Sequence, residues 1–375
     1  MIPSPVATSP ATAPARPVFA NAGDGAEALP TSELGEEVAL PEIPRRLKAL
    51  WEDNKAKTRA SLMNFAICAE RDAALQENTE IMRELTREHA CRALLVAVEP
   101  AGDAPSVRAW ITAHCQLGDG GNRSICSEQL SFLIHGCGHN VLANTIFAHV
   151  DSDLPLTLWW QGEFSGNWEP HLFTEIDRLV LDSSEWAEPL AQFAILRRSW
   201  EQAGGEFSVN DLAWTRVLHL RMALAACFDD PAALALLPAV EEMTITCAEG
   251  HALAGRMFAA WAAHRADWRL TGPAEQGFRF ENGGRGLRVV FEERAADVAV
   301  PAVVLRGPGL TVSLTQEACG SFIQSRVVTA AGTVERLTPA PCHTPAQLVI
   351  ERLRRGCNTK LYFALLETVR ALLTK

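Results

Sequence analysis

The sequence predicts an α/β amino-terminal domain, a mixed sheet with parallel crossovers and an antiparallel hairpin, followed by an α+β carboxy-terminal domain. In residues 43–184 short apolar runs alternate with segments of helical periodicity, which is the pattern of parallel strands joined by helices. Residues 185–375 contain a helical connector and then short strands with Gly and Pro turns, which indicates an α+β arrangement. Residues 1–42 are rich in proline, alanine and acidic residues, and we expect a disordered tail there.

Composition and charge restrict the class of protein. A chain of 375 residues, 48% hydrophobic and 21% charged, is long enough for more than one core. Its net charge of −11 disfavours nucleic acid and anionic membrane surfaces as partners. No apolar run is long enough to span a membrane, and five prolines in the first twenty residues disfavour a signal peptide. These features predict a cytoplasmic protein whose cysteines are mostly reduced.

The elements of the first domain follow from hydrophobic periodicity. A helix begins near Ile43, because Ile43, Leu47 and Leu50 recur on one helical face. The segment DLPLTLWW (153–160) is almost continuously apolar, which is typical of a strand covered on both faces. The other elements are predicted in this order: strand 61–68, helix 72–89, strand 91–99, strands 106–116 and 124–134, helix 136–149, and a strand at about 178–182.

The second domain is predicted to begin and end with helices. Helices dominate residues 185–236, and short alternating strands fill 239–340 around one helix at 250–265. Two helices close the chain. The last one carries apolar residues at helical spacing, namely Tyr362, Leu365, Leu366, Val369 and Leu373.

The predicted hairpin has a register that can be derived. Its turn centres on Gly120 and Gly121, a pair suited to the positive φ angles of a two-residue turn. In that register Cys115 faces Cys126, and the apolar residues share one face with Glu128 as the exception. Directly opposed cysteines are close enough for a disulfide. Two interpretations stay open: two small residues that fill a narrow space, or a redox-sensitive pair.

The stretch HGCGH places His135 and His139 four residues apart, as in zinc-binding helices. A zinc protease has a glutamate after the first histidine, where this chain has Gly136, and the extended motif has a third histidine where this chain has Thr145. The two glycines also weaken a helix by about 1 kcal/mol each relative to alanine. We therefore expect a structural or capping role for this stretch and no metal.

Known catalytic patterns are missing from the sequence. It contains no G-x-x-x-x-G-K-[ST] loop, no G-x-S-x-G elbow and no G-x-G-x-x-G between a strand and a helix. Asp151, Asp153 and Asp182 lie at predicted strand ends and leave an alternative open: a sugar-phosphate or nucleotide-acting enzyme, or a metabolite-sensing domain. A pocket with these carboxylates beside Arg178 or Arg216 would favour the enzyme. A closed strand end would favour a binding protein, and we expect no catalytic residue and no cofactor.

Tryptophan is unusually frequent, with ten residues against a single tyrosine. Trp159 and Trp160 are consecutive, so in a strand they point to opposite faces. Trp214 lies on a predicted helix that should pack near that strand. We predict that Trp159 and Trp214 are core residues.

Several segments, in chain order, form a recognisable set. Two of them are fairly specific together: DLPLTLWWQGE (153–163), of the form D-L-P-x-x-L-W-W-x-G, and DLAWTRVLHLR (211–221). The others are RASLMN (59–64), REHACRALLV (87–96), RLVLDSS (178–184) and FAAWAAHRADW (258–268). The set resembles the motifs of the OpcA family, the glucose-6-phosphate dehydrogenase assembly proteins, although Ala90 stands where the family usually has proline.

The resemblance covers most of residues 43–270 and assigns motif positions along them. These are Arg59, Asn64, Arg92, Asp153, Leu154, Pro155, Trp159, Trp160, Gly162, Arg178, Asp182, Ser183, Asp211, Leu212, Trp214, Arg216 and Trp261. It implies a non-catalytic protein that binds glucose-6-phosphate dehydrogenase and promotes its assembly or its activation. The expected role is that of an allosteric activator at the entry of the oxidative pentose phosphate pathway.

Overall fold

The computed structural model of this chain describes residues 34–52, 57–59, 61–71, 73–99, 105–117, 124–136, 140–316, 321–341 and 344–374. In these residues the chain forms two β-sheets with helices packed on them. The first is a mixed sheet with parallel crossovers and an antiparallel hairpin, and the second belongs to an α+β arrangement. The fold class predicted from the sequence is therefore confirmed.

The first sheet has a parallel centre. Its strands are β1 (Glu36–Val38), β2 (Lys57–Arg59), β3 (Asn64–Ala69), β4 (Arg92–Glu99), β5 (Ser106–Leu117), β6 (Ser124–His135), β7 (Leu156–Trp160), β8 (Arg178–Leu181) and β9 (Ser208–Asp211). The strand order is β1-β5-β6-β4-β3-β7-β8-β9, with β2 beside β6. All neighbours from β6 to β9 are parallel, whereas β1 and β5 run antiparallel to their neighbours.

Both faces of this sheet are buried. The helices that follow its strands are α1 (Ile43–Glu52), α2 (Ala74–Leu85), α3 (Asn140–Phe147), α4 (Pro170–Phe173) and α5 (Pro189–Gln202). Along β3 the side chains alternate between two hydrophobic clusters, with Phe65 and Ile67 in one and Ala66 and Cys68 in the other. A strand covered on both faces needs apolar residues at every position, which explains the continuous apolar runs of the sequence.

The hairpin β5–β6 has the predicted register. Cys115 pairs with Cys126 and Ile111 with Leu130, while the turn residues 118–123 lie outside the described residues. Glu128, the one polar residue on the apolar face, is buried. The alternation of the strands and the geometry of a glycine turn were sufficient to fix this register.

The second sheet is mostly antiparallel. Its strands are β10 (Glu242–Ala248), β11 (Arg269–Pro273), β12 (Phe278–Asn282), β13 (Arg285–Arg294), β14 (Ala302–Gly307), β15 (Leu310–Gln316), β16 (Phe322–Thr329) and β17 (Gly332–Pro339), in the order β11-β12-β13-β10-β14-β15-β16-β17. The helices of this half are α6 (Leu212–Arg216), α7 (Leu218–Cys227), α8 (Pro231–Leu236), α9 (Ala252–Ala266), α10 (Pro345–Arg355) and α11 (Thr359–Leu373). α9 lies close to β10 because it has Gly255, whose added Cβ would be 2.2 Å from the Cys247 sulfur.

Three elements differ from the prediction. Residues 36–38, placed in the disordered tail, form β1 and pair with β5. β9 lies beyond the predicted boundary at residue 184 and pairs with β8. It was not predicted as a strand, because it is short and contains polar residues. The predicted helix 136–149 is observed at Asn140–Phe147. How the chain divides into independently folding domains stays a prediction.

The closing helices return to the first sheet. Leu348, Val349 and Ile350 of α10 belong to the same hydrophobic cluster as Trp159 and Val180 of the first sheet. The amphipathic face of α10 is therefore buried against an element more than 150 residues earlier in the chain. A boundary drawn from sequence order does not reveal such a contact.

Helix length bears on membrane insertion. Among the described residues no single helix is long and apolar enough to cross a membrane. Two consecutive segments, Leu218–Cys227 and Pro231–Ala239, are long and apolar enough for a span only when they are taken together. They meet at an angle of 93°.

Candidate functional site

The motif positions gather mainly at the two edges of the first sheet. At the amino ends of the parallel strands lie Arg59, Asn64, Arg92, Asp153, Leu154, Pro155 and Arg178. At the carboxyl ends, and in the helix that follows β9, lie Gly162, Asp182, Ser183, Asp211, Leu212, Trp214 and Arg216. Trp159 and Trp160 lie in β7 between the two edges, and Trp261 lies apart from them in α9. The candidate site is thus two clusters, an amino-edge cluster and a carboxyl-edge cluster.

Asn64 organises the amino-edge cluster. Its amide nitrogen donates to the carbonyl oxygens of Asp151 at 2.8 Å and Leu154 at 2.9 Å. Its amide oxygen accepts from the backbone nitrogen of Asp151 at 2.9 Å. The side chain is fully buried, so three hydrogen bonds satisfy it and fix the segment before β7. Asp153 and Pro155 in that segment are exposed and Leu154 is half-buried.

Arg92 has a second structural role at the same edge. Its Nε lies 2.9 Å from Oε1 of the buried Glu128, and the indole nitrogen of Trp51 donates to Oε2 of that carboxylate at 3.1 Å. The ion pair explains why a carboxylate can occupy the apolar face of the hairpin, because a buried charge needs a partner. The backbone of Arg59 in β2 pairs with that of Cys126 in β6, two residues before Glu128.

Asp182 and Arg216 form the centre of the carboxyl-edge cluster. Nη1 and Nη2 of Arg216 donate to the two carboxylate oxygens of Asp182 at 2.8 and 2.6 Å. The Ser184 hydroxyl also donates to Asp182 at 2.6 Å. Burial favours a higher pKa of Asp182, but the hydrogen bonds and charge of Arg216, with those from Ser184, outweigh it and lower that pKa. Asp182 is only 4% exposed and its oxygens are occupied by donors of the chain, whereas 18% of the Arg216 side chain is exposed.

Asp211 is a second buried carboxylate beside this pair. It accepts from the Ser183 hydroxyl at 2.6 Å, from the Tyr362 hydroxyl at 2.8 Å and from the backbone nitrogen of Ala213 at 2.9 Å, so it also caps α6. Burial raises the pKa of Asp211 to about 6, with hydrogen bonds from Ser183 opposing the shift and the charge of Asp182 adding to it. The cluster therefore contains a carboxylate that titrates near neutral pH, but its oxygens are occupied by donors of the chain itself.

The turn after β7 is also closed by internal bonds. The indole nitrogen of Trp160 donates to the Glu163 carbonyl oxygen and that of Trp186 donates to the Gly162 carbonyl oxygen, both at 3.0 Å. Gly162 has φ of +81°, a conformation that glycine adopts without strain. The Trp160 and Trp186 rings are both buried, so this motif segment anchors an aromatic core rather than exposing a reactive group.

Ligands of open α/β sheets usually bind where the strand order reverses, at the carboxyl ends of the two central strands. Here those strands are β3 and β7, which β4 and β8 extend to opposite sides. The residues after β3 are Glu70 and Arg71 rather than a glycine loop, and Glu70 accepts from the Asn167 side chain at 2.9 Å. Asn78 and Gln161 exchange two amide hydrogen bonds across the same place, at 3.0 and 2.8 Å. Internal side chains thus occupy the usual nucleotide position.

Two cavities in the described part of the chain, of about 610 and 260 Å³, lie elsewhere. The larger is a shallow polar depression on the second sheet, between Glu242, Arg288 and Arg306, and the smaller separates α2 from α10. Neither is lined by a motif position. Neither cavity is therefore the pocket of carboxylates and arginine that would have favoured an enzyme.

The three carboxylates of the enzyme alternative do not form one site. Asp151 and Asp153 precede β7 and lie at the amino edge, whereas Asp182 follows β8 and lies at the carboxyl edge. Parallel strands place these edges a strand length apart, which is on the order of 15 Å for five residues. Arg178 likewise lies at the amino edge and Arg216 at the carboxyl edge. Grouping these residues by their position at strand ends was wrong, because the two ends of a strand are opposite edges.

The histidine stretch begins at the end of β6. Nδ1 of His135 lies 2.7 Å from the Glu99 carboxylate, across neighbouring strands, and Gly136 has φ of +59°. His139 lies outside the described residues. Among the described residues no group of three His, Cys, Asp or Glu side chains could hold a metal ion.

Trp159 and Trp214 are core residues, as predicted, with 3% and 4% of their surface exposed. Trp159 and Trp160 belong to different hydrophobic clusters, so they do point to opposite faces of the sheet. The guanidinium of Arg221 lies 3.2 Å from the centroid of the Trp214 ring. Trp261 is half-buried and packs 5.7 Å from Phe258, measured between ring centroids.

The structure joins Cys115 and Cys126 in a disulfide, with their Cα atoms 4.1 Å apart. Cys115 is exposed and Cys126 is buried. A redox role for the pair stays a prediction.

Tyr362 is the main member of the carboxyl-edge cluster that sequence reasoning missed. It was assigned only to the apolar face of the last helix, yet its hydroxyl is part of the cluster. One signal could have identified it: a buried tyrosine needs a hydrogen-bond partner for its hydroxyl, and this is the single tyrosine of the chain.

Solved structures show distant similarity. An oxidoreductase domain protein from Kribbella flavida is 10% identical, with a TM-score of 0.48, over 84% of this chain and 96% of that one. An aldose-aldose oxidoreductase from Caulobacter crescentus is 12% identical, with a TM-score of 0.41, over 82% of this chain and 98% of that one. Similarity at this level carries no statement about activity.

Comparison by sequence is more specific. A curated protein from Nostoc punctiforme, named "Putative OxPP cycle protein OpcA", is 25% identical over 195 residues, which are 50% of this chain and 40% of that protein. The matched stretch therefore spans less than half of this relative. Two family models match, described as the glucose-6-phosphate dehydrogenase subunit N-terminal domain, over residues 82–198, and its C-terminal domain, over residues 207–366. Together they cover most of the chain and include the carboxyl-edge cluster, and the chain belongs to the OpcA family.

Proposed function

We propose that this chain binds glucose-6-phosphate dehydrogenase and promotes its assembly or activation without catalysing a reaction itself. Membership of the OpcA family supports the identity of the partner and the place in the oxidative pentose phosphate pathway. The cytoplasmic location expected from the sequence is part of the same proposal.

The observation that carries the non-catalytic part is the closed carboxyl edge. Asp182, Asp211 and Ser183 are buried, and the hydrogen bonds described above connect them to Arg216, Tyr362 and backbone groups rather than to open space. A catalytic acid or base must be within hydrogen-bond reach of a substrate proton, directly or through one water. Groups enclosed in this way hold the fold together instead.

The enzyme alternative receives no support from the geometry, because its carboxylates lie at opposite edges of the sheet. Among the described residues Asp182 alone of the three pairs with an arginine, and its carboxylate is buried. A protein of this kind acts through affinity instead. If it binds one conformation or oligomer of the dehydrogenase more tightly than another, it stabilises that state by the difference in binding free energy.

The proposal is tested by mixing purified full-length chain with its host's glucose-6-phosphate dehydrogenase. We expect the chain to change the apparent substrate affinity or the oligomer distribution of the enzyme, in proportion to the amount added until saturation. Initial rates over a range of glucose 6-phosphate concentrations and sedimentation velocity measure the two effects. Serum albumin at the same concentration controls for non-specific stabilisation.

Two results would contradict the proposal. Unchanged kinetics together with unchanged sedimentation would exclude the partnership. Turnover of a sugar phosphate or nucleotide by the chain alone, at a rate that follows its concentration through purification, would exclude the non-catalytic part.

A further inference from the structure

One face of the second sheet is open. Along its central strands buried residues such as Met243, Val303 and Leu314 alternate with half-buried ones, so the buried side chains share one face, the inner one. Helix α9 packs on the inner face, since a Cβ added to its Gly255 would lie 2.2 Å from the sulfur of the buried Cys247. The opposite side of the sheet is formed by the alternating half-buried residues, and we call it the open face. Its central members are Thr244, Val290, Ala302, Val304, Thr311 and Ser313.

The middle of the open face carries short side chains without charge. At one level of four adjacent strands lie, side by side, Val290, Thr244, Val304 and Ser313. The water-covered face of an antiparallel sheet usually carries polar residues at the positions that alternate with the core. A middle without charge, bordered by charged residues, is instead typical of the buried centre and polar rim of a protein–protein interface.

Two large apolar side chains extend this surface toward the edge of the sheet. Phe322 of β16 is 50% exposed, and Leu337 of β17 is 67% exposed. In the register of these strands Phe322 lies opposite Pro339 and Leu337 lies opposite Gln324, so both apolar side chains are on the open face at diagonal positions. Exposed apolar residues that adjoin one another, unlike single ones, indicate an interaction surface.

The open face is large enough for a stable interface. The second sheet has eight strands. Neighbouring strands lie about 4.8 Å apart and a strand of six residues is about 20 Å long, so the face covers on the order of 750 Å². A standard protein–protein interface buries about 800 Å² of each partner. A partner that covers most of the open face therefore buries the area that a stable complex needs.

The charges of the open face are separated along its strands. At one end Arg288 and Arg306 share the carboxylate of Glu242, and Arg279 lies beside Arg288 in register. At the other end β13 carries Glu292, which forms no ion pair within the described part of the chain and accepts a hydrogen bond there from a threonine hydroxyl at 3.5 Å. One end of the face thus has an excess of positive charge, and the other end has a carboxylate without a cation beside it.

We propose that the open face binds the open face of a second copy of this chain, in a symmetric dimer. Arg288 and Glu292 lie on the same strand with Val290 midway between them, and all three side chains share the open face. A two-fold axis that crosses the strands at the level of Val290 therefore places Glu292 of each copy over Arg288 of the other. The same axis places the uncharged middle of one face on that of its partner, and side chains from both faces fill the spacing of about 10 Å between packed sheets.

Charge favours a second copy over an unrelated surface. An unrelated partner would need an uncharged middle and the reverse order of charges, whereas a second copy has both by symmetry. The whole chain has a net charge of −11, so two copies repel one another when most of their other surfaces approach. The open face differs, because its arginine end is positive and attracts the carboxylate end of the other copy.

The test measures the mass of the full-length chain in solution by sedimentation velocity over a wide range of concentration. Val304→Arg places a long charged side chain in the middle of the open face. Val334→Arg is the matched control, because it makes the same change at a 44% exposed position on the other side of the sheet, opposite Val327. Glu292→Arg, alone and together with Arg288→Glu, tests the charge pair. Circular dichroism verifies that each variant is folded.

We expect the wild type and Val334→Arg to form dimers with the same dissociation constant. Val304→Arg should raise that constant at least about tenfold, because it buries an unpaired charge at the centre of the interface. Glu292→Arg should also weaken the dimer, since it places like charges opposite one another, and the double variant Arg288→Glu with Glu292→Arg should restore it. The melting temperature of the wild type should rise with chain concentration, and that of Val304→Arg should not.

The proposal is overturned if the wild type is a monomer at every concentration, or if folded Val304→Arg dimerises as the wild type does. If Val304→Arg does not fold, the charge variants decide, and equal dimerisation of the wild type and Glu292→Arg overturns the proposal. A monomeric wild type whose effect on the dehydrogenase is lost in Val304→Arg also overturns it and assigns the open face to that enzyme. The sedimentation experiment uses this chain alone, so its result is independent of the proposed function.

Discussion

The hydrogen bond from Tyr362 to Asp211 connects the last helix of the chain to the first sheet, and its removal gives a quantitative test of the carboxyl-edge cluster. Tyr362→Phe keeps the ring and deletes only the hydroxyl, which donates to Oδ2 of Asp211 at 2.8 Å between two buried side chains. A hydrogen bond to an ionised group contributes about 1.5–3 kcal/mol, and one to a neutral group about 0.5–1.5 kcal/mol. The effect should therefore depend on the protonation of Asp211.

Burial raises the pKa of Asp211 to about 6, above the value of about 3.9 for an unfolded aspartate. A raised pKa means that the folded state binds the proton more tightly, so this contribution to stability is complete below pH 4 and is lost as the pH rises through 6. The Tyr362 hydroxyl opposes that loss because it stabilises the carboxylate. Tyr362→Phe should thus lower the free energy of unfolding by about 1.5–3 kcal/mol at pH 8 and by about 0.5–1.5 kcal/mol at pH 5.

Guanidinium unfolding at both pH values and equal ionic strength measures this difference, and an unchanged m-value verifies that the same transition is compared. Tyr362→Phe in an Asp211→Asn background is the control, since the pH dependence should disappear there. An equal loss at pH 5 and pH 8, or no loss at pH 8, would refute the assigned role of the hydroxyl.

Three further predictions concern the same sheet. Trp159→Ala should lower the free energy of unfolding by about 3–5 kcal/mol because it empties a core position, and an unchanged melting temperature would contradict this. Asp182→Asn should cost about 3–5 kcal/mol because it leaves Arg216 without its buried partner, whereas replacing both residues by apolar ones of similar volume should cost less; equal losses would refute the pairing argument. Mass spectrometry of the oxidised chain should find a Cys115–Cys126 cross-link, which dithiothreitol removes and Cys115→Ser prevents; reduced cysteines only would leave the packing interpretation.

The parts of the fold that could be predicted are those set by local pattern. The hairpin register followed from alternation and a glycine turn, and the burial of β7 on both faces followed from the continuous apolar run ending in Trp159 and Trp160. In both cases the information lies within a few residues, because strand periodicity and turn geometry act locally.

The parts that could not be predicted depend on distant residues. Glu128 contradicted the apolar pattern until its partner Arg92, 36 positions away, was located. β9 has only four residues, and its pairing with β8 is decided by the sheet rather than by its own sequence. Tyr362 reaches Asp211 across 151 positions, so the carboxyl-edge cluster is completed by the last helix of the chain.

The last helix completes the carboxyl-edge cluster, and the order that this gives the chain matters for the proposed action on a partner. An activator that shifts an enzyme tenfold toward one state needs only about 1.4 kcal/mol of differential affinity, which a modest and firmly held surface can provide. Such a surface requires order rather than a reactive group. In this chain the polar residues of the motifs supply order: Asn64 fixes the segment before β7, Asp182 and Arg216 close the edge after β8, and Tyr362 fastens the last helix to β9. Under the proposed function, the enclosed motif residues are therefore the ones that would hold such a surface in place.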